Sequence, residues 1–242
     1  MSKSLKLFLG VSYILILLAF LYYIFSYIEI SKLSDFLYYK ELQTNLENAI
    51  GQNLYLNILI FSIFCIIWVS LLGFGSPLLI ISGILFGKWI GTLVSVLSIS
   101  IGALILYLIA SFFFKDLVRE LLEKRFNKYL TLFRENEFNY FFAFRLVGGF
   151  GIPFGLQNVL PVIFNLKKSN YFFASVLGFI PIFFIWNTIG AGLNEYIKQA
   201  DNFSFINLIF NQDIYLPLIL FVVVMAISAF LKKKLFDKKI EK

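Results

Sequence analysis

Between Glu47 and Lys88 the chain runs for forty residues without a charged side chain. A helical membrane span needs about 20 mainly apolar residues. Forty is too long for one crossing and leaves no room for a comfortable loop between two. The helix breakers show how the stretch divides. Leu54–Leu72 makes one span, Gly73-Phe74-Gly75-Ser76-Pro77 interrupts it, and a short apolar piece at 77–87 ends in Gly87-Lys88-Trp89-Ile90-Gly91. Residues 92–114 then run a full membrane length. The whole chain follows this bias, with 60% apolar and 14% charged residues over 242. Soluble domains carry roughly 45–50% and about 25%, respectively. One core cannot hide that excess. The sequence therefore predicts an all-α integral membrane protein, a polytopic helical bundle, and excludes a soluble enzyme, a nucleic-acid-binding domain and a disordered chain.

The residue counts also exclude most chemistry. There is no histidine and one cysteine, Cys65, inside an apolar run where packing is its default role. Zinc and iron sites need several converging imidazoles, thiolates or carboxylates. Ser-His-Asp, Cys-His and HExxH catalysis all require histidine. No enzyme, metal or cofactor is expected. The net charge of +7 does not point to nucleic acid, because six lysines (Lys232, Lys233, Lys234, Lys238, Lys239 and Lys242) crowd one tail behind an apolar span. Such a cluster is a cytoplasmic flank attracted to anionic headgroups.

Three regions follow along the chain. Residues 1–53 hold a first span at 7–28, read as an uncleaved anchor, and a polar linker with an amphipathic helix around 36–46. Residues 54–192 form a membrane core. Residues 193–242 give a polar loop, a last span at 214–231 and the basic tail. Within the core, 115–137 carries six basic and five acidic residues. Its stripe of Val118, Leu122, Phe126, Tyr129 and Phe133 predicts an amphipathic helix lying at the interface.

The stretch 139–166 repeats the earlier anomaly. It is apolar but broken by Gly148-Gly149-Phe150-Gly151, Pro153 and Pro161, and it holds one charge, Arg145. A further span at 170–190 contains Pro181. Two interrupted segments, about 73–91 and 139–166, are each followed by a span and make a weak internal repeat. Irregular backbone at membrane depth survives only inside protein or along a wet cavity. Paired broken helices mark transporter binding sites. Gly73, Gly75, Pro77, Gly83, Gly87, Gly91 and Pro161 are therefore expected to form the hinges of two re-entrant hairpins. The alternative is that these small residues only permit close helix packing.

These residues resemble the DedA family, part of the SNARE-associated Golgi protein or VTT-domain superfamily. The first block is Gly75-Ser-Pro-Leu-Leu-Ile-Ile-Ser-Gly-Ile-Leu-Phe-Gly-Lys-Trp-Ile-Gly91, with small residues around Gly102. The second is Phe141-x-x-x-Arg145, then Pro153-Phe154, Asn158 and Pro161, closing with Leu177-Gly178-Phe179-Ile180-Pro181 and Gly190-Ala191-Gly192. The likeness spans roughly 73–192. It implies two membrane-embedded hairpins facing each other across an inverted repeat. It also implies lipid handling, either phospholipid scrambling or return of polyprenyl-phosphate carriers. One bacterial branch has acidic residues in its first hairpin and a second arginine, and this chain has neither. Passive or differently driven lipid movement fits these residues better than proton coupling.

An arginine at bilayer depth is disfavoured by roughly 2.5–3.5 kcal/mol on insertion scales, so such residues are usually functional. The Arg145 guanidinium suits a phosphate, and backbone N–H groups of Gly148, Gly149 and Gly151 would add donors. In the alternative, Arg145 snorkels to the interface or caps a helix C-terminus. Asn158, beside Gln157 and between Pro153 and Pro161, either contacts a headgroup or satisfies carbonyls that the prolines free. Lys88 and Trp89 mark an interface.

The expected function is a lipid transporter or scramblase whose partners are membrane lipids with anionic or phosphate-bearing headgroups. A small-solute or ion transporter using the same cavity and a membrane-organising protein are the competing classes. The positive-inside rule puts the tail and 115–137 in the cytoplasm of a multi-pass protein, expected in a bacterial plasma membrane. The loops 29–53 and 191–213 then lie outside. The N-terminal half leaves two arrangements: the piece at 77–87 crosses with its neighbours' help, or one end is inverted.

Overall fold

The computed structural model describes residues 3–26, 35–72, 74–126, 129–200 and 202–232. Among them there are helices and no strands. In chain order these are α1 (Lys3–Ser26), α2 (Phe36–Gln52), α3 (Leu54–Leu72), α4 (Ser76–Phe113), α5 (Lys115–Phe126), α6 (Leu130–Glu135) and α7 (Glu137–Leu146). A 3₁₀ turn at Gly148–Gly151 precedes α8 (Phe154–Val159), α9 (Pro161–Phe164), α10 (Lys168–Gln199), α11 (Phe205–Ile209) and α12 (Gln212–Lys232). The helices α3, α4, α10 and α12 are each long and apolar enough to cross a membrane. Their outward faces are apolar too: Val222 on α12 is 65% exposed and Phe230 66%. Lipid is the solvent for which such a surface is stable. Gly73, residues 27–34 and the basic tail from 233 onward lie outside the described residues.

The uncharged forty-residue stretch resolves into α3 and a bent α4. Inside α4, Gly87 has φ 71° and ψ 178°, a conformation that a residue with a Cβ rarely adopts. The chain reverses there, because the Ser82 hydroxyl donates to the Gly91 carbonyl at 2.9 Å. In an unbroken helix these residues would lie about 13 Å apart. Two arms result, 76–86 and 88–113. The first packs on α10, where Gly83 lies against the Asn187 backbone and Gly190 against Ile80. The second continues along α10, Asn187 donating to the Ser95 hydroxyl at 3.1 Å, and then passes α3, where Gly102 meets Ile66.

These contacts fix the direction of each helix. Phe61, near the start of α3, meets Phe86 at the bend, while Lys115 at the far end of the second arm meets Asn165. The chain thus runs away from α2 in α3, back in the short arm, and away again in the long arm. The short arm, 76–86, thus adds one reversal of the chain between α3 and Lys115.

Two spans differ in extent from their sequence expectation. The long arm starts at the Gly87 bend rather than at 92. The helix expected over 170–190 runs from Lys168 to Gln199, so the polar residues read as loop continue it. Gln199 hydrogen-bonds Glu195 one turn back, Lys198 pairs with Glu47 of α2, and Lys40 donates to the Ala200 carbonyl at 3.0 Å. A lysine on a terminal carbonyl stabilises a helix C-terminus. The segment 115–137 is likewise not one helix: α5 and α6 are separate, and Asn136 opens α7 by accepting from the Asn139 N–H at 3.1 Å. Its apolar stripe faces protein, with Val118 and Phe133 buried and Leu122 packed on the core.

The Lys198 pair holds the Glu47 carboxyl below its ordinary value of 4.5. A depressed carboxyl pKa stabilises the fold above its unfolded value and loses that contribution as pH falls through the folded one. Both side chains are partly solvent-exposed, so the contribution is at most about 0.5 kcal/mol. The protection of the α2 amides, taken as exchange relative to the intrinsic rate at each pH, is expected to weaken as the pH drops below 4.5, and Lys198→Ala is expected to flatten that dependence.

Candidate functional site

The second broken segment is also a helical hairpin. It runs up α7, reverses over Gly148–Gly151 and returns through α8 and α9. Gly148, Gly149 and Gly151 have φ values of 67°, 68° and 77°, which explains why three glycines occupy four positions. Gln157 ties the turn to the returning arm, donating from Nε2 to the Gly148 carbonyl at 3.1 Å and the Ile152 carbonyl at 2.6 Å. The Ile152 carbonyl directly precedes Pro153, so this amide serves the carbonyls of the break rather than a headgroup. Replacing Gln157 with leucine leaves two carbonyls without their donor and is expected to destabilise the protein by about 1–3 kcal/mol. Thermal unfolding in detergent measures this.

Arg145 lies at the centre of this hairpin and is 1% exposed. Its Nη2 donates to Asn158 Oδ1 at 2.9 Å and to the Tyr171 hydroxyl at 2.8 Å, and its Nε to Ser175 Oγ at 3.2 Å. Each of these acceptors is neutral. Four rings complete the enclosure, with the guanidinium carbon 4.8 Å from the Phe141 centroid, 4.7 Å from Phe179, 5.3 Å from Tyr171 and 5.8 Å from Phe154. Aromatic faces attract a cation by about 0.5–2 kcal/mol each, more when desolvated. The Nη1 nitrogen has no hydrogen-bond partner, although it is buried. Arg145 therefore sits inside the protein, not at its surface.

The remaining site residues divide in two. Asn158 is buried on Arg145. The Tyr171 hydroxyl links both to the long arm of α4, its one proton having the Ala103 and Asn158 carbonyls within reach at 3.1 and 3.2 Å. Gly151 and Pro153 instead line a cavity of about 150 Å³ beneath α5, with Leu122 and Phe126 opposite. Gly149 is filled on one side by Gln157. Pro161 is buried at the start of α9. Gly75 caps α4 against Ile99, and Pro77 stands in the first turn. Gly83 and Gly91 lie within helical turns, where their missing side chains admit Asn187 and Ser82.

Sequence reasoning named Arg145, Phe141 and Asn158 but not Tyr171 or Ser175, and it took Gly178 and Phe179 only as parts of a family block. The signal was present: 171, 175, 178 and 179 follow a helical period, and together they make the wall facing Arg145. Gly178 belongs to that wall because a Cβ there would stand 2.5 Å from Arg145 Cβ.

No solved structure matches the chain. A family model, the VTT domain, matches residues 71–192, which takes in both hairpins, the Arg145 enclosure and α10 as far as Gly192. The protein belongs to the VTT-domain family, that of DedA and the SNARE-associated Golgi proteins.

Proposed function

We propose that this membrane protein moves lipids with phosphate-bearing headgroups, phospholipid or polyprenyl phosphate, between leaflets, and that Arg145 meets the phosphate. The observation that carries this reading is a buried guanidinium whose hydrogen-bond partners are all neutral and whose Nη1 has none. A buried cation without a counter-charge is poorly compensated. A phosphate supplies that charge and accepts from the fork of a guanidinium. In this reading the path passes the reversal at Gly148–Gly151: Gly151 and Pro153 line the cavity under α5, and displacement of the returning arm would join that cavity to the arginine. The two hairpins are re-entrant, with Gly87 near the outer face. The tail and α5 lie on the cytoplasmic side of a bacterial plasma membrane. Carboxylates are absent from 48–111, so passive or differently driven lipid movement fits better than proton coupling.

The test is leaflet exchange in liposomes holding the purified protein, using labelled lipids of several headgroups. Exchange of phosphate-bearing lipids supports the reading. Flux of a labelled solute without lipid exchange assigns the protein to solute or ion transport. Neither flux nor exchange leaves membrane organisation.

A further inference from the structure

At the end of the molecule opposite Lys115, α2, the last turns of α10 and the segment 202–211 border two adjoining chambers that open to the outside. The first, about 450 Å³, is walled by Phe36, Tyr39, Leu193, Ile197, Phe203 and Leu208. That volume falls within the roughly 300–1,000 Å³ of small-molecule sites. The second, about 440 Å³, is bordered by Gln199, Asn202, Ser204, Asn207 and Asn211. Tyr196 lines both. It is buried, and its hydroxyl is held in place between the Ser204 N–H at 2.8 Å and the Ser204 carbonyl at 3.0 Å. An apolar room and a polar room on either side of one fixed tyrosine match the two halves of an amphiphile.

The position agrees with that. From Lys168 to Glu195 the helix α10 rises on the order of 40 Å, the thickness of a bilayer with its headgroups. The chambers therefore sit at headgroup level. Phe203, Phe205, Ile206 and Phe210 are all more than half exposed along the rim, so the rim faces lipid. Phe36 and Phe203, with ring centroids 6.4 Å apart, bridge α2 to this segment.

Charge decides which headgroup fits. Among the described residues the polar chamber is bordered by Tyr196, Ala200 and the amides and hydroxyl of Gln199, Asn202, Ser204, Asn207 and Asn211, none of them charged. Of the nearest ions, Lys198 is paired with Glu47, Lys40 is on the Ala200 carbonyl, and Glu195 accepts from Gln199. Amides and hydroxyls beside an aromatic ring pair well with hydroxyl groups, and among the described lining residues no cation selects a phosphate. We infer that this end of the protein binds a lipid with an uncharged, hydroxyl-rich headgroup such as a glycolipid, its chain seated against Leu193 and Leu208 and its hydroxyls on Asn202 and Asn207. This site is separate from Arg145.

The experiment uses the full chain in nanodiscs and a photoreactive dodecyl maltoside, with labelled peptides read by mass spectrometry. Labelling is expected at 193–208 and is expected to be competed by unlabelled dodecyl maltoside but not by dodecyl sulfate or dodecylphosphocholine. Leu193→Trp, which fills the apolar chamber, is expected to cut labelling by about tenfold, and Asn207→Ala, on an exposed turn, by about threefold. Arg145→Ala is expected to leave it unchanged, so this inference and the lipid-transport reading fail separately. Equal competition by all three detergents, or labelling indifferent to both chamber variants in folded protein, overturns the proposal.

Discussion

Arg145→Met is expected to reduce leaflet exchange by tenfold or more while the protein stays at least as stable as the wild type. The two expectations have different physical origins. In the lipid-transport reading, phosphate contact through a charged hydrogen bond is worth about 1.5–3 kcal/mol, which is about tenfold or more in rate if it is made on the way across. For stability, the same charge is a liability, because it is desolvated among neutral acceptors with no carboxylate beside it. Exchanging buried ions for apolar side chains of similar size is often neutral or stabilising, and methionine adapts to irregular space. Arg145→Lys is expected to lose exchange as well. One ammonium cannot serve Ser175, Asn158 and Tyr171 from the fixed fork that guanidinium offers. If exchange and melting temperature fall together in the methionine variant, Arg145 is a packing residue and the transport reading loses its observation.

The sequence made the elements legible and hid their directions. An uncharged stretch of forty residues with glycine and proline inside it announces a break, and Gly87 provides one with a positive φ. Whether the chain then continues or turns back depends on what the broken ends pack against. That was decided by Ser82 and Gly91 on the two arms and by Asn187 on the distant α10, whose meeting no periodicity encodes. The same applies to Arg145. Its rarity in an apolar run marked it, but its depth follows from Gly178 letting α7 close on α10 and from four rings contributed by three different helices. The misjudged loop at 191–199 has a local cause. Glu195, Lys198 and Gln199 look solvated and loop-like in isolation. They are helical because α2, an amphipathic helix that runs past the expected 36–46 to Gln52, lies alongside and pairs with them.

Gly190→Ala and Gly83→Ala are each expected to lower stability by about 3 kcal/mol or more, the upper part of what overpacking usually does. The reason is what the added methyl would strike. At Gly190 a Cβ would stand 2.2 Å from the Ile80 carbonyl oxygen, and at Gly83 2.2 Å from that of Asn187. Both obstacles are backbone atoms of packed helices, so no rotamer change relieves the clash, and the first hairpin must lift off α10. A second class of glycine makes the control. Gly51, on the exposed side of α2, has nothing within 4 Å of a Cβ, and Gly51→Ala is expected to be neutral or to stabilise by up to about 1 kcal/mol through helix propensity. Gly87→Ala lies between these: its Cβ also meets open space, but its φ of 71° holds alanine in a strained conformation worth about 1–3 kcal/mol. Thermal unfolding of the four variants in one detergent gives the order. If Gly190→Ala melts with Gly51→Ala, the short arm does not pack on α10 as closely as described, and the hairpin reading of the uncharged stretch fails with it.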